Sequence, residues 1–458
     1  MRQFSPAELQ SFLDAHLPAG ADLCVAYSGG LDSTVLLHAA ARVAAGTSRY
    51  RVRAVHVDHR LHPQSAQWGE HCERTAAGLR IDLTQLVVDI PRHPGASLEA
   101  AAREARYQAL SAGLRPGEVV LTAHHADDQL ETVLLALMRG AGVRGLSAMP
   151  PVQPFGAGSL MRPLLEFTRR ELEDWACAEA LSWLSDPSND NVGFDRNYIR
   201  HRVVPALHER WPAAAVSGTR SAAHLGEAGR LLDSLAHSDL ARVARGACLD
   251  VSELRALEPG RLRNVVRHWI RQCGGRAPST RKLAAIEHDL LRSREDRVPC
   301  VDWEGCEVRR YRGLLYCMRP RPPFAGAEVL RWPSGEIVDL PARLGSLALR
   351  ADPGGRIGAA RVSGHVLSVR FRAGGEIVQP AGDAHHRKLK KLLQSAAILP
   401  WWRDRLPLVY CGDRLLAVGD LWTAEEFAPR GAEPAASIVW QGRPDVFAAD
   451  ARKPDAPA

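Results

Sequence analysis

Lysine is the residue type that this sequence most lacks. Of the 59 basic side chains only five are lysines: Lys282, Lys388, Lys390, Lys391 and Lys453. The Walker pattern Gly-x-x-x-x-Gly-Lys-Ser/Thr is absent, which disfavours an ordinary P-loop kinase or GTPase. Any cation that neutralises a triphosphate in the N-terminal region therefore has to be an arginine or a metal ion.

Paired cysteines, a signal peptide and long apolar runs are also absent. The nine cysteines contain no Cys-x-x-Cys pair, which counts against an iron–sulfur site and predicts reduced thiols. No apolar run approaches the ~20 residues of a membrane span, and residues 1–6 lack the apolar core of a signal peptide. These absences predict a cytoplasmic protein.

The composition predicts a globular protein of several domains. A chain of 458 residues is too long for one core, and we expect about two to four domains. The net charge of +7 and the pI of about 9.0 are consistent with a polyanionic partner such as a nucleic acid.

The most informative segment is Ser-Gly-Gly-Leu-Asp-Ser at residues 28–33. It follows an apolar run at residues 22–27, which has the length of a buried strand, and precedes residues 34–43, which predict a helix that opens at Asp32 or Ser33. Adjacent glycines let backbone N–H groups approach an anion, and a helix N-terminus adds about half a positive charge. The carboxylate of Asp32 would repel phosphates unless a divalent cation lay between them. The structural alternative is an ordinary turn in which Ser33 caps the helix.

Strands and helices alternate in the N-terminal half. Further strands are predicted at residues 52–58, 86–90, 119–123 and 160–165, and helices at residues 65–79, 97–113 and 127–139. This alternation predicts a parallel, doubly wound sheet whose ligands bind beyond the carboxyl ends of the strands. The loop at residues 28–33, Asp58 and residues 124–128 follow such ends, and we expect them to converge on one crevice.

Three acidic residues, Asp127, Asp128 and Glu131, lie in the first turns of one predicted helix. Acids in a first turn often only complement the helix dipole. At a strand end that faces a triphosphate loop, they favour binding of Mg²⁺ or of an ammonium group. The preceding His124 and His125 lack a spaced third metal ligand, and we interpret them as polar or stacking residues.

Two arginine pairs have helical spacing, Arg103 with Arg106 and Arg196 with Arg200. A solvated face with surface salt bridges is one interpretation of each pair. A contact with phosphate or substrate is the other.

Five motifs occur in an order that resembles a known family. They are Ser-Gly-Gly-Leu-Asp-Ser at 28–33, His-Val-Asp-His at 56–59, Thr-Ala-His-His-Ala-Asp-Asp-Gln-Leu-Glu-Thr at 122–132, Asp-Pro-Ser-Asn at 186–189 and Arg-Asn-Tyr-Ile-Arg at 196–200. The first resembles the pyrophosphate-binding loop (PP-loop) of the ATP pyrophosphatases, which split ATP into AMP and pyrophosphate while they adenylate a substrate. Together the five resemble the tRNA(Ile)-lysidine synthetases.

The resemblance implies an ATP- and Mg²⁺-dependent ligase. That family attaches free lysine to C2 of the wobble cytidine in the isoleucine tRNA that has a CAU anticodon. The cytidine O2 attacks the α-phosphate of ATP and pyrophosphate leaves, after which the lysine amine displaces AMP from the adenylated base. The target base has to be unstacked, as it is in an anticodon loop.

The resemblance also implies roles for individual residues. ATP would bind to Ser28, Gly29, Gly30, Leu31, Asp32, Ser33 and Asp58. Asp32 would hold Mg²⁺. Asp128 and Glu131 would grip the lysine, and Arg200 would neutralise the pyrophosphate. Asp32, Asp128 and Arg200 are therefore the candidate catalytic residues.

The predicted architecture is an α/β PP-loop domain followed by a helical domain and a small α+β C-terminal domain. The catalytic domain is expected at residues 1–210. Residues 211–318 are arginine-rich and mostly helical, and next to a tRNA-modifying domain we expect them to contact phosphates. Residues 319–365 are expected to form a linker and a poorly defined segment, residues 366–441 the C-terminal domain, and residues 442–458 a disordered tail.

Residues 387–405 combine six cations, one aspartate and two tryptophans. Cations suit phosphates and aromatic rings suit unstacked bases, so this segment predicts a nucleic-acid face. It also resembles the C-terminal domain of the longer synthetases. The candidate tRNA contacts are Arg196, Asn197, Arg372, Arg387, Lys388, Lys390, Lys391, Trp401, Arg403 and Arg405.

Other functions remain open at this point. A tRNA thiolase of the same PP-loop family is the second candidate, and the missing Cys-x-x-Cys pair counts against it. A small-molecule amidotransferase or NAD synthetase would need no basic tRNA face, and a non-enzymatic RNA-binding module would leave the PP-loop without a purpose. The sequence also leaves open whether the chain is a monomer or a homodimer, and how isoleucine tRNA is distinguished from methionine tRNA.

Overall fold

A mostly parallel sheet organises the first of the two units into which the chain divides, Met1–Leu232 and Asp233–Ala458. The computed structural model describes residues 3–60, 64–90, 98–185, 191–294, 298–324, 326, 328–333 and 335–449. The strands of the first unit are β1 (Ala21–Ala26), β2 (Tyr50–Asp58), β3 (Asp82–Val87), β4 (Val119–Leu121), β5 (Val152–Phe155) and β6 (Gly158–Met161).

The strand order is β3-β2-β1-β4-β6-β5. All neighbouring pairs are parallel except β5 with β6 at one edge. The predicted doubly wound sheet is therefore confirmed. Its central strand β1 is buried among apolar side chains from both faces, including Val25 and Leu121.

Helices connect and follow these strands in the chain. They are α1 (Pro6–His16), α2 (Leu31–Thr47), α3 (Ser65–Gly78), α4 (Leu98–Ala112), α5 (Ala126–Met138), α6 (Val143–Leu146), α7 (Arg169–Ala178), α8 (Asp195–Tyr198), α9 (Val204–Arg210) and α10 (Ala214–Val243). A π-helical turn, Ile199–Val203, joins α8 to α9. Helix α10 runs from the first unit into the second.

Two strands differ from the sequence prediction. Strand β3 begins earlier than predicted. It is a largely exposed edge strand, so its first residues do not form the continuous apolar run by which a buried strand is recognised. The predicted strand at residues 160–165 overlaps β6, but strand β5 and the hairpin that it forms with β6 were not predicted. Its turn contains Gly156 at φ +52°, and a Cβ on Gly158 would lie 2.0 Å from the carbonyl oxygen of Glu118. The hairpin therefore depends on a close backbone approach to a distant segment.

The second unit begins with helices packed on a small antiparallel sheet. Its helices are α11 (Val251–Arg255), α12 (Pro259–Gln272) and α13 (Thr280–Ala285), followed by a π-helical turn, Ile286–Leu290. Its strands are β7 (Ala244–Arg245), β8 (Cys248–Asp250), β9 (Cys300–Trp303), β10 (Cys306–Tyr311) and β11 (Leu314–Met318), in the order β7-β8-β11-β10-β9. The predicted strand pair near residues 298–317 is thus part of a five-stranded sheet.

The rest of the second unit is a β-rich domain. Its elements are β12 (Leu330–Trp332), β13 (Ile337–Asp339), β14 (Ser346–Ala351), β15 (Ile357–Gly358), α14 (Ala359–Val362), β16 (Leu367–Phe371), β17 (Ile377–Val378), β18 (Arg387–Lys388), α15 (Leu389–Ser395), β19 (Pro407–Cys411), β20 (Arg414–Val418), β21 (Trp422–Thr423) and β22 (Ala435–Gln441). Two 3₁₀ turns, Pro400–Arg405 and Glu425–Phe427, lie between them. The two larger sheets, β12-β16-β19-β20-β21 and β13-β14-β22-β15, enclose one core.

Two predicted boundaries are wrong in this domain. Strands β12 to β15 lie in the segment predicted as linker, and Trp332 and Leu347 from them are buried in the core. Residues 442–449 were predicted to be disordered, but Val446 and Phe447 pack into the same core. Short strands with exposed alternate residues leave a weak sequence signal, and only the packing identifies them.

None of the helices in the described ranges is long and apolar enough to cross a membrane.

Candidate active site

The loop between β1 and α2 has the geometry of an anion site. Gly29 has φ +83°, and a Cβ there would lie 3.1 Å from side-chain atoms of Cys72 and Leu184, so this position requires glycine. Ser33 Oγ lies 3.0 Å from Ser28 Oγ and donates to the carbonyl oxygen of Gly30 at 3.0 Å. No side chain caps the start of α2 at Gly30. The first N–H groups of α2 therefore face the loop and are available to an anion.

A crevice of about 720 Å³ opens at the carboxyl ends of the central strands. It is lined by the PP-loop, by residues after β2 and β4 and by the segment around α8. The predicted site residues among its walls are Ser28, Gly30, Leu31, Asp32, Ser33, Asp58, Asp128, Arg196, Asn197 and Arg200. The expected convergence of separate strand ends on one crevice is therefore present. Asp-Pro-Ser-Asn at residues 186–189 lies outside the described residues.

Glu131 binds two arginines that line the crevice, and it does not itself line the crevice. Its side chain is only 1% exposed. Arg200 donates to it from Nε at 2.6 Å and from a terminal nitrogen at 2.9 Å, and Arg196 donates from Nε at 2.8 Å. Both carboxylate oxygens are thus engaged by guanidinium groups. This geometry disagrees with the predicted grip of Glu131 on lysine and favours a role in holding the two arginines.

Asp128 joins the same network from the crevice side. One carboxylate oxygen accepts from Arg200 at 2.9 Å, and the other accepts from the backbone N–H of His125 at 3.2 Å. Burial raises the pKa of Asp128, but the charges of His125 and the arginines lower it by a larger amount. The net shift of the Asp128 pKa is therefore downward. Burial lowers the pKa of Arg200, but Glu131 and Asp128 raise it on balance. Asp128 and Arg200 are therefore both charged at neutral pH.

His125 is a buried cation surrounded by carboxylates. Its Nε2 lies 3.4 Å from Asp128 Oδ2 and 3.6 Å from Asp32 Oδ2, and its Nδ1 lies 3.6 Å from Asp127 Oδ2. Burial would lower the pKa of His125, but the three carboxylates, with Asp128 first, raise it to about 10. This histidine links the PP-loop to helix α5. Sequence reasoning missed that role, although a histidine directly before two aspartates was the available signal.

Its neighbour His124 has the opposite electrostatic state. Burial lowers the pKa of His124 to about 3, and its Nδ1 lies 2.9 Å from Thr122 Oγ1. The ring is therefore neutral and lines the crevice. Its position is compatible with the predicted polar or stacking role.

Asp32 has an oxygen that fits a divalent cation. Its Oδ1 is buried and has no hydrogen-bond partner, and Asp32 lines the crevice next to the loop of residues 28–33. The described residues contain no cluster of three or more His, Cys, Asp or Glu side chains that could hold a metal ion. Mg²⁺ commonly uses one or two carboxylates together with phosphate oxygens and water. The donor set at Asp32 therefore fits a Mg²⁺ that arrives with a nucleotide.

Arg103 and Arg106 also line the crevice, on the side of helix α4. Their guanidinium carbons lie 5.1 and 5.9 Å from the centre of the Tyr107 ring. Among the residues that the structure describes, neither has a carboxylate partner, so surface salt pairing does not account for them. Burial lowers the pKa of Arg106. Two arginines that line this crevice and pair with no carboxylate in the described ranges favour an anionic ligand.

Three family models match successive parts of the chain. A PP-loop domain matches residues 3–207, a TilS substrate binding domain residues 249–316, and a TilS substrate C-terminal domain residues 367–440. The chain is 44% identical to the tRNA(Ile)-lysidine synthase of Alkalilimnicola ehrlichii, over 93% of this chain and 96% of that protein. The chain belongs to the tRNA(Ile)-lysidine synthase family. The same enzyme of Methylococcus capsulatus is 42% identical (93% and 97% covered), and that of Coxiella burnetii is 40% identical (94% and 95% covered).

Membership of the synthase family confirms the resemblance that the five motifs carried. It also confirms an ATP-using PP-loop enzyme of the ligase class and makes the thiolase alternative weaker, because these relatives are synthases. The placement of the individual site residues, by contrast, comes from the structure.

The C-terminal basic segment divides into an exposed part and a packed part. Helix α15 buries Leu389, Leu392 and Leu393 and leaves Lys390 and Lys391 in solvent. Lys388 and Arg387 directly before the helix are exposed as well. Four cations of this synthase-family domain are thus exposed within five residues of one another, and we call them the α15 face: Arg387, which forms a salt bridge with Asp383 at 2.7 Å, and Lys388, Lys390 and Lys391.

Trp401, Arg403 and Arg405 lie in the packed part. The Trp401 ring meets that of Tyr316 edge-to-face at 5.1 Å. Arg403 donates to the carbonyl oxygen of Ile398 and to Tyr311 Oη, both at 2.9 Å. These contacts disagree with the predicted nucleic-acid role, because the polar and aromatic groups are already used within the protein.

Arg405 and Arg372 are similarly engaged. Arg405 is 9% exposed, donates to the carbonyl oxygen of Pro322 at 2.5 Å and lies 5.0 Å from the centre of the Phe324 ring. Arg372 lies between two carboxylates, 3.5 Å from Glu376 and 3.4 Å from Asp404. For Arg405 the predicted tRNA contact is therefore replaced by a structural role.

Proposed function

We propose that this chain uses ATP to join free lysine to the wobble cytidine of a tRNA(Ile) with a CAU anticodon, through an adenylated base. The observation that carries the proposal is the single crevice in which the PP-loop, the unpartnered Asp32 oxygen and the Asp128–Arg200 network meet. The relatives named tRNA(Ile)-lysidine synthase support it over 93% and 94% of the chain.

Adenylation requires neutralisation of the pyrophosphate that leaves. The N–H groups at the start of α2 and the hydroxyls of Ser28 and Ser33 surround the place where it would lie. Asp32 would hold Mg²⁺, which when bound supplies positive charge to the phosphates. Arg200 would approach from the opposite wall, oriented by Glu131. Removal of one such stabilising group typically costs about 10²–10³ in rate.

Lysine capture is assigned to Asp128. Its carboxylate faces the crevice and stays ionised, because its pKa is lowered by the surrounding cations. An ionised carboxylate beside the adenylated base can hold the lysine amine and orient it for attack on C2. Glu131 is less suited to this task, because it is only 1% exposed against 9% for Asp128 and accepts three hydrogen bonds from arginines.

tRNA binding is assigned to the α15 face and to Asn197 at the crevice mouth. Exposed lysines and arginines bind phosphates without reading sequence. Arg196 is held by Glu131 and Asp128, so we assign it to the catalytic wall rather than to the tRNA. The cytoplasmic location, the homodimer and the remaining domain boundaries of the sequence analysis stay predictions.

The deciding experiment measures labelled lysine in RNA. The purified protein is incubated with ATP, Mg²⁺, labelled lysine and transcripts of tRNA(Ile) and tRNA(Met), both with a CAU anticodon. We expect label only in the isoleucine transcript, with AMP and pyrophosphate released. Pyrophosphate release that depends on tRNA but leaves no lysine in the RNA would overturn lysine as the substrate. Absence of both products would overturn the adenylation chemistry.

A further inference from the structure

Histidines and carboxylates alternate along a path that leads from the surface of the first unit to the PP-loop. The members of this series, from outside to inside, are His208 on α9, Asp127 in the first turn of α5, His125 at the N-cap of that helix and Asp32 in the first turn of α2. The side chain of His208 is 30% exposed, and that of His125 only 3%. Neither His208 nor Asp127 is among the described residues that line the crevice. Both therefore lie behind the groups that would touch a substrate.

Asp127 is held by hydrogen bonds from two directions. Its Oδ1 accepts from His208 Nε2 at 3.1 Å, and its Oδ2 accepts from the backbone N–H of Arg169 at 2.8 Å. Each carboxylate oxygen is therefore engaged by a different helix, α9 or α7. Burial raises the pKa of Asp127, but its hydrogen-bonding neighbours, of which His125 has the largest effect, lower it to about 2 on balance. The carboxylate is thus ionised and is a strong acceptor.

His208 is itself fixed by a second contact. Its Nδ1 lies 3.3 Å from the carbonyl oxygen of Pro212, which follows the end of α9. A carbonyl and a carboxylate can only accept hydrogen bonds, so the His208 ring donates from whichever nitrogen carries a proton, and from both when it is protonated. The two contacts together fix the direction of the ring, with Nε2 against Asp127.

Asp127 in turn lies against the inner histidine. Its Oδ2 is 3.6 Å from His125 Nδ1, whereas Asp128 and Asp32 approach the other nitrogen, Nε2, at 3.4 and 3.6 Å. His125 Nδ1 is buried and has no hydrogen-bond partner, so the charge of Asp127 is what holds this side of the ring. Orientation of an imidazole by an aspartate at Nδ1 is a recurrent arrangement in enzymes. A shift of Asp127 would let the ring turn and would remove the contact on Asp32 Oδ2.

We infer that His208 is a positioning residue for the PP-loop. Through Asp127 and His125 it fixes Oδ2 of Asp32, which leaves Oδ1, the oxygen without a partner, for a metal ion. The inference rests on the proposed role of Asp32 in holding Mg²⁺. Removal of a group that orients a metal ligand typically costs about 10–100-fold in metal affinity or activity. His208 acts through two intervening side chains, so we expect a loss at the lower end of that range, about 10-fold.

The experiment measures ATP binding to the full-length chain by calorimetry, once with Mg²⁺ and once with EDTA, and in both cases without tRNA or lysine. In His208→Ala we expect the gain in ATP affinity that Mg²⁺ provides to shrink by about 10-fold, while the affinity in EDTA stays unchanged. The Mg²⁺ concentration that half-saturates pyrophosphate release should rise by a similar factor, with the KM for tRNA unchanged. His208→Gln retains an N–H donor near the position of Nε2 and should restore most of the gain.

A double-variant cycle tests whether His208 acts through Asp127. Asp127→Asn removes the charge that faces His125, and its Mg²⁺-dependent gain should shrink at least as much as in His208→Ala. Addition of His208→Ala to Asp127→Asn should then cause no further loss, because the two side chains act in series. A further loss as large as that of His208→Ala alone would show that His208 acts elsewhere and would overturn the inference.

The matched control is His224→Ala, which removes an exposed histidine from α10 in the same unit and should leave both ATP affinities unchanged. A lower thermal midpoint in His208→Ala with a normal Mg²⁺-dependent gain would reduce His208 to a structural contact. Equal losses with Mg²⁺ and with EDTA, or no Mg²⁺-dependent gain in the wild-type chain, would also overturn the inference. Absence of tRNA-dependent pyrophosphate release in the wild-type chain would instead contradict the proposed function, because ATP binding is measured without tRNA.

Discussion

At the scale of single residues, the active crevice depends on charges that cancel locally. His125 sits among Asp32, Asp127 and Asp128, while Glu131 holds Arg196 and Arg200. Burying an unpaired charge is costly, so each buried ion here needs its partner. Two atoms of this cluster, Asp32 Oδ1 and His125 Nδ1, are buried without a hydrogen-bond partner. Of the two, the carboxylate oxygen of Asp32 is the one that suits a Mg²⁺ ion that arrives with a ligand.

Asp32→Ala should abolish adenylation without weakening tRNA binding. We expect pyrophosphate release in the presence of tRNA to fall by about 10²–10³, as for other lost stabilisers of transition-state charge. The matched control is Asp22→Ala, which removes an aspartate from an exposed salt bridge with Arg51 on the same sheet. Release at the wild-type rate in Asp32→Ala would remove this residue from the mechanism.

Asp128→Ala and Glu131→Gln should fail at different steps. If Asp128 holds lysine, its variant should adenylate tRNA in a single turnover without lysine but transfer lysine at least about 10²-fold more slowly. If Glu131 orients Arg200, its variant should already be slow in pyrophosphate release. Glu179→Gln, at a surface pair with Arg42, serves as the control. A normal rate of adenylation with a raised KM for lysine in Glu131→Gln would restore the direct lysine contact.

At the scale of elements, two neighbouring segments of similar composition direct their side chains differently. Helix α15 is amphipathic, so its leucines enter the core and its lysines point outward. The 3₁₀ turn Pro400–Arg405 instead directs its arginines and Trp401 against other parts of the second unit. Side-chain direction, and not the number of cations, decides which segment can meet a polyanion.

The double variant Lys390→Ala/Lys391→Ala should bind tRNA more weakly at every salt concentration. Each lost phosphate contact should reduce the slope of log affinity against log salt by about 0.7–0.9. Fluorescence anisotropy at several salt concentrations measures the slope. Arg350→Ala removes an exposed cation from β14 in the same domain and is the control. An unchanged slope in the double variant would exclude these lysines from the tRNA interface.

Arg405→Ala should act on stability and not on tRNA affinity. It leaves the carbonyl oxygen of Pro322 without its donor and removes packing against Phe324. Loss of one partner of such a buried hydrogen bond costs about 1–3 kcal/mol. We expect a lower thermal midpoint and an unchanged salt slope. A reduced slope with an unchanged midpoint would return Arg405 to the tRNA interface.

At the scale of the whole molecule, the two units predict more than one unfolding transition. Each has its own hydrophobic core, and multidomain chains commonly depart from two-state behaviour. The unfolding transition of the first unit should depend on the ion pair that Glu118 forms. This buried carboxylate accepts from Arg53 at 2.5 and 2.6 Å and from the Arg115 N–H at 3.0 Å.

The stability of the first unit should fall at acidic pH because of this ion pair. Burial raises the pKa of Glu118, but the hydrogen bonds from Arg53 and Arg115 lower it below its ordinary value on balance. A folded pKa below the unfolded value, about 4.3, contributes stability above pH 4.3 that is lost as the pH falls through the folded pKa. Glu118→Gln should be less stable at pH 7 and less sensitive between pH 5 and 3, as measured by chemical denaturation. An unchanged acid dependence would contradict this assignment.

Much of the catalytic architecture is encoded locally and was readable from the sequence. The run before Ser28, the adjacent glycines and the apolar helix after Asp32 predict strand, turn and helix within a few residues of one another. The alternation of strands and helices then places Asp58 and Asp128 at the same sheet edge, because parallel strands share their direction. The crevice and its family followed from these patterns.

By contrast, only the tertiary structure decides which residues contact one another. Glu131 meets Arg196 and Arg200 across more than sixty residues of sequence, His125 meets Asp32, and Trp401 meets Tyr316. None of these contacts has a periodic signal, so the composition of residues 387–405 predicted one continuous nucleic-acid face. The physical reason is that a cation satisfied by a buried carbonyl or carboxylate is the same residue type as one left in solvent. Sequence determines which charges and rings are present, and only packing determines which of them remain free for a ligand.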